Sequence, residues 1–137
     1  MAFLVEVQPL WQVLAMQTLA HHQQLRLRTK DFSYRIIKLY RSLPRNAEAY
    51  IMGKQLLRCG TSVAANYRAV GQTRSRADAV SKLAIVLEEA DECIYWLECL
   101  ADNKIVRAGL LSDLIQEANE LVRIFGASLR TMRSNGR

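Results

Sequence analysis

The sequence predicts an all-α protein, an antiparallel up-and-down four-helix bundle. Apolar residues recur at steps of three and four along most of the chain, which is the helical period. Only two prolines and six glycines interrupt 137 residues. Strand-like alternation of Val, Ile and Thr is scarce. A chain of this length suggests one domain, able to bury about two-thirds of its unfolded surface. Its expected organisation is an N-terminal arm or extra helix over residues 1–28, followed by the bundle over residues 29–134.

The arm is the least regular part. "PLWQVLAMQTLAHHQQLRLR" favours helix by propensity, but its apolar residues form no stripe. It reads as a frayed helix, an extension of the next helix, or a disordered arm. His21 and His22 diverge by about 100° on a helix and so cannot face one metal together; both are expected to be exposed. The opening "MAFLVEVQPLWQVLAM" lacks a basic leader, and Glu6, Gln8, Pro9 and Gln12 break its apolar run. Neither an export signal nor a membrane span of about 20 apolar residues is expected. The cytoplasm is the expected compartment.

The first clear helix is "DFSYRIIKLYRSL". Phe32, Ile36, Leu39 and Leu43 make its seam, and Pro44 ends it. The turn "PRNAE" is short, which sets the next helix antiparallel. That second helix runs from about Glu48 to Val70, with Ala49, Met52, Leu56, Cys59, Val63, Asn66 and Val70 at heptad spacing. Asn66 is the polar member, a residue able to fix register when hydrogen-bonded. Gly53, Gly60 and Ala64 thin one side of the helix. Each glycine costs about 1 kcal/mol against alanine. Close approach of another helix, within the bundle or from another subunit, would compensate; a kink near Gly60 is the other explanation.

In "GQTRSRAD", Ser75 and Asp78 resemble a capping box that opens the third helix. Its seam is unbroken: Val80, Leu83, Leu87, Ala90, Ile94, Leu97 and Ala101. Ala79, Val86, Cys93 and Leu100 widen it to the breadth a globular bundle needs. Glu88, Asp91, Glu92, Glu98 and Asp102 lie opposite. Trp96 falls outside the seam and suits either a contact with another chain or packing against the first helix or the arm. After the turn in "DNKIVRAGLL", Ser112 is the expected cap of the fourth helix, with Asp113 near its N-terminus. Leu114, Ala118, Leu121, Phe125 and Met132 face inward there, supported by Ile115, Val122 and Leu129. Arg130 and Arg133 suit the helix end, and "SNGR" reads as a frayed tail.

Charge is uneven along the chain. Residues 1–77 carry 12 Lys and Arg against three acids, while residues 78–120 carry three against ten, in a chain of net charge +6. Such asymmetry suggests a polyanion partner or a charge-complementary interface. On the second helix, Lys54, Arg58 and Arg68 share an arc of about 80°. Arg74 and Arg76 continue past its end, and Arg35, Lys38, Arg41 and Arg45 lie on or just beyond the first helix. These nine are the candidate nucleic-acid-binding residues. An arginine fork donates two hydrogen bonds to a phosphate, giving salt-dependent affinity with little reading of sequence. No aromatic-basic interleaving and no recognition helix is evident.

Other chemistry finds no support. A di-metal carboxylate bundle needs Glu-x-x-His on facing helices, and both histidines lie in the arm. Cys59, Cys93 and Cys99 have no metal spacing and no histidine expected nearby, so they read as reduced, packed thiols. No phosphate-binding loop of the Gly-x-x-x-x-Gly-Lys-Ser/Thr type occurs. No catalytic residue, metal or cofactor is expected.

The stretches "DFSYRIIKLYRSLP", "KQLLRCGTSVAANYRA" and "SRADAVSKLAIVLEEADECIYWLECL" resemble the bacterial four-helix-bundle or intervening-sequence proteins, some of which are encoded within insertions in large-subunit ribosomal RNA genes. The likeness covers roughly residues 30–133. It is similar also to the accessory variability determinant of diversity-generating retroelements. The resemblance implies a non-enzymatic bundle that assembles as a ring-shaped homopentamer. From the retroelement relative it implies an accessory protein that contacts RNA or DNA and a reverse transcriptase. No motif of the family marks binding residues. Two functions therefore follow: electrostatic binding of RNA or DNA, or a protein-interaction scaffold whose charges are used between subunits, the acidic third helix meeting Arg58 or Arg68 of a neighbour.

Overall fold

A computed structural model describes residues 9–135 of the chain. The opening residues 1–8, with Glu6, and the last two residues of the "SNGR" tail lie outside the described residues. Four helices follow in order: α1 (Leu10–Ser42), α2 (Ala47–Val70), α3 (Arg76–Asp102) and α4 (Ala108–Ser134). Short turns join them, so successive helices run antiparallel and pack as neighbours; α4 approaches α1 much less closely than it does α3. The all-α expectation holds.

α1 is 33 residues long. It passes through residue 28 without a break, so residues 10–28 of the expected arm continue the first bundle helix. The absence of an apolar stripe has a structural counterpart: Leu10, Trp11, Met16 and Leu19 are all exposed. Among the described side chains, full burial begins at Leu25 and continues through Thr29, Phe32, Ser33 and Ile36. Thr29 satisfies its buried hydroxyl on the Leu25 carbonyl at 2.8 Å. From Leu25 onward the helix therefore gains a burial that the described side chains before it lack.

α2 is capped by Asn46, whose side chain accepts from the Ala49 amide at 2.9 Å, which satisfies one orphan donor of the first turn. Ala49, Leu56, Cys59 and Val63 are buried as the heptad predicts. At the far end the seam shifts: Tyr67 is buried and Asn66 is only half-buried. Asn66 donates to the Ser62 carbonyl and hydroxyl of its own helix, both at 2.9 Å, and so does not set register with a neighbour. A straight helix drifts by about 20° per heptad relative to a strict seven-residue repeat, which is why Gly53, Gly60 and Tyr67 share the inner face with the Ala49 series.

The glycines mark a close α1–α2 approach rather than a kink. A Cβ added at Gly60 would lie 2.7 Å from Ile36 Cγ2, and one at Gly53 would lie 2.5 Å from Leu43 Cδ1. The Ser33 hydroxyl uses that proximity, donating to the Gly60 carbonyl at 2.6 Å.

Ser75 caps α3, accepting from the Asp78 amide at 3.1 Å. The helix ends in a Schellman motif: Ile105 N donates to Leu100 O and Lys104 N to Ala101 O. Lys104 occupies the left-handed position, at φ 56°, where glycine is usual. The fourth helix begins earlier than the Ser112 cap implied. It starts at Ala108 behind Arg107, which makes no side-chain cap bond. Ser112 lies within the helix and donates back to Gly109 O at 3.0 Å, the alternative use of a serine hydroxyl inside a helix.

The core is continuous, with Phe32, Ile36, Leu56, Val86, Leu97, Leu100, Leu121 and Phe125 fully buried. Trp96 is half-buried against it, and its indole N–H donates to Glu92 at 3.2 Å. Tyr95 beside it stays exposed. Among the described residues, no helix is long and apolar enough to cross a membrane.

Candidate nucleic-acid interface

The close packing of α1 on α2 leaves a groove along their outer edge. On α2 its wall is built from Thr61, Ala64 and Ala65, whose side chains are too short to fill it. On α1, Leu27, Tyr34 and Ile37 provide apolar surface. Arg26 and Lys30 from α1 and Arg68 from α2 line the same groove, whose volume is about 630 Å³. No carboxylate is among the described residues that line it. Lys30 Nζ lies 5.7 Å from the Tyr34 ring centroid, within cation–π range.

A second hollow of about 500 Å³ sits at the α1–α2 turn. Arg41 and Arg45 line it together with Tyr40 and Tyr50. Lys54, one turn beyond Tyr50, places its ammonium 5.1 Å from that ring. Arg41, Arg45 and Lys54 therefore gather at this end of the helix pair, and Arg68 belongs to the groove at the other. Arg35 is half-buried on α1 and Lys38 exposed; neither lines a hollow. Arg74 is exposed in the α2–α3 turn. Arg76, in the first turn of α3, donates twice to the Met132 carbonyl, at 3.1 and 2.9 Å, joining the start of α3 to the end of α4.

Arg58 is placed differently from the rest. Its guanidinium meets Glu89 at 3.2 Å and Glu92 at 2.5 Å, both on α3 of its own chain. The hydrogen bond to Glu92 and the charges of both carboxylates raise the Arg58 pKa above its ordinary value. The same hydrogen bond holds the Glu92 carboxyl below its usual value, against its partial desolvation. Arg58 thus braces α2 on α3. Arg28 plays the matching part between α1 and α4, reaching Glu117 at 2.7 Å and also Glu120. Among the described residues, these two arginines are the cations that meet carboxylates. Arg26, Lys30, Arg41, Arg45, Lys54 and Arg68 do not, while Glu88, Asp91, Glu98 and Asp102 stand exposed on α3.

Cys59 and Cys93 are fully buried, with sulfurs 3.2 Å apart. The contact with the Cys59 sulfur, reinforced by burial, pushes the Cys93 thiol far up, so it stays protonated rather than nucleophilic. Cys59 also lies within 4.8 Å of the Glu89 and Glu92 carboxylate oxygens. Arg58 already holds both carboxylates there. His21 and His22 are exposed as expected, and His22 Nδ1 lies 3.1 Å from the Tyr67 hydroxyl.

The model of the 23S rRNA-intervening sequence protein family matches residues 22–127. The chain belongs to that family. The matched segment of this intervening-sequence protein begins inside α1 and takes in both hollows. The chain is also similar to a protein of unknown function from the S23 ribosomal protein family of Bacteroides thetaiotaomicron. The two share 32% identity at a TM-score of 0.74, over 80% of this chain and 97% of the other. No curated protein matches the chain.

The sequence places Arg41, Lys54 and Arg68 on helix faces and Arg45 just beyond the first helix, and all four are exposed at those places. It missed Arg26, Lys30 and Tyr34. Their spacing of four and four is the available signal, and it straddles the boundary at residue 28 between the expected arm and the bundle.

Proposed function

We propose that this intervening-sequence protein is a non-enzymatic, oligomeric bundle that binds RNA or DNA electrostatically as a cytoplasmic accessory factor. The observation that carries this is the uneven pairing of charge. The acids of α3 and α4 take Arg28 and Arg58, and the remaining cations along α1 and α2 meet no carboxylate among the described residues. Unpaired guanidinium and ammonium groups on one edge attract phosphates and release counterions on contact. Arg35, Lys38, Arg41, Arg45, Lys54, Arg68, Arg74 and Arg76 are the proposed contacts. Arg58 serves the fold. The retroelement resemblance supports a reverse transcriptase or another larger protein as a further partner, and the ring-shaped homopentamer as the assembly. An electrophoretic shift of RNA or DNA at low salt, lost at moderate salt, is the expected result. No shift at low salt, or one undiminished at high salt, would refute it.

The scaffold reading draws on the exposed acids of α3, which surround Tyr95, itself 57% exposed. On that reading Arg68→Glu dissociates the oligomer in light scattering. On the nucleic-acid reading it leaves the mass unchanged and abolishes the shift.

A further inference from the structure

We propose that the α1–α2 groove seats a single strand, with an unpaired base stacked on Tyr34 and its neighbouring phosphates held by Arg26, Lys30 and Arg68. This rests on the nucleic-acid reading above and specifies the form of strand and the place. Three features converge on it. The charge is complementary: among the described residues, three cations and no acid line the groove. The ring is available, since Tyr34 is 54% exposed. The size suits a nucleotide, with a hollow of about 630 Å³ inside the range of small-ligand sites.

A duplex cannot use this arrangement. Its bases are stacked on one another and present only edges, whereas an unpaired base offers a free face to an aromatic ring. Cations around such a ring are the usual companions of single-strand stacking. Lys30 over the Tyr34 ring and Arg68 across the groove supply them.

The groove also predicts low base specificity. Its polar floor is already committed: Ser33 donates to Gly60 O and Thr61 to Leu57 O. Apart from Gln23 at one edge, little remains to read a base edge, so stacking and charge decide affinity.

The test is fluorescence anisotropy at low salt with the full chain, a labelled oligothymidylate 12-mer and a duplex of equal length. The single strand is expected to bind about tenfold more tightly than the duplex. Tyr34→Ala should weaken single-strand binding about tenfold, Tyr34→Phe should restore it, and neither should change duplex binding. Equal binding of both forms with no response to Tyr34→Ala overturns the groove proposal and leaves the electrostatic reading standing. Absence of binding to either form removes both. A change of oligomer mass on Ala65→Glu, with oligonucleotide binding untouched, also overturns it and assigns the groove to another copy of the chain.

Discussion

Gly60→Ala tests how α1 and α2 are held together. In an exposed helix interior this change stabilises by about 1 kcal/mol, because alanine loses less backbone entropy. Here the new methyl would sit 2.7, 2.9 and 3.0 Å from Ile36 Cγ2, Cγ1 and Cβ. Carbon atoms prefer about 3.5–4.0 Å. The obstacle is the branched carbon of Ile36 and its two substituents, stiff about χ1 in a helix. Relief requires the helices to separate by several tenths of an ångström, which lengthens the 2.6 Å bond from Ser33 to Gly60 O. Overpacking of this kind costs about 1–3 kcal/mol. The net expectation is a loss of roughly 0–2 kcal/mol.

Gly126→Ala provides the contrast. Its new methyl would meet only the Arg130 guanidinium, at 3.6 Å, so the ordinary gain of about 0.5–1 kcal/mol should appear. Thermal melting followed by far-ultraviolet circular dichroism, at fixed protein concentration, should separate the two variants by roughly 2–12 °C at about 4 °C per kcal/mol. Ile36→Ala combined with Gly60→Ala should show a coupling of about 0.5–3 kcal/mol, since the truncation makes room for the methyl. If Gly60→Ala raises the midpoint as much as Gly126→Ala does, the close approach of α1 and α2 is refuted.

Tyr67 should make stability fall at alkaline pH. Burial raises its pKa to about 12, with Arg26 opposing. The contribution is complete below pH 10, where the unfolded side chain is also protonated, and is lost as pH rises towards 12. The loss reaches about 2–3 kcal/mol, and Tyr67→Phe should flatten it in urea titrations across that range. Lys104→Gly should stabilise by about 1 kcal/mol, because it removes the strain of a left-handed lysine at the α3 terminus; an unchanged midpoint would count against that conformation. Thiol labelling of the native protein should modify Cys99, which is half-buried, before Cys59 or Cys93. The last two should react only on unfolding.

The sequence made the bundle legible where burial and periodicity coincide. Leu83, Ala90 and Leu97 lie on the α3 seam and are fully or nearly fully buried. Pro44 and Ser75 mark real helix boundaries. What was not legible depended on contacts between distant residues. The sequence sets Arg58 against the acidic third helix only between subunits, because nothing local reveals that Glu89 and Glu92 of its own chain come within its reach. The start of α4 was hidden because Ala108 follows Arg107 without a side-chain cap. The exchange of Tyr67 for Asn66 at the core reflects the slow rotation of a straight helix away from a strict heptad. The groove was invisible because Tyr34 and Lys30 gain meaning only beside the short side chains of Thr61, Ala64 and Ala65 on another helix.

The most direct measurement is the salt dependence of oligonucleotide affinity, taken for the native chain and for Arg26→Gln, Lys30→Gln and Arg68→Gln. Three to six engaged cations predict a log–log slope of roughly −2 to −4 for a single strand, reduced by about 0.7 for each cation removed. A flat slope, or one that none of the three substitutions changes, would contradict a cationic α1–α2 edge open to phosphate.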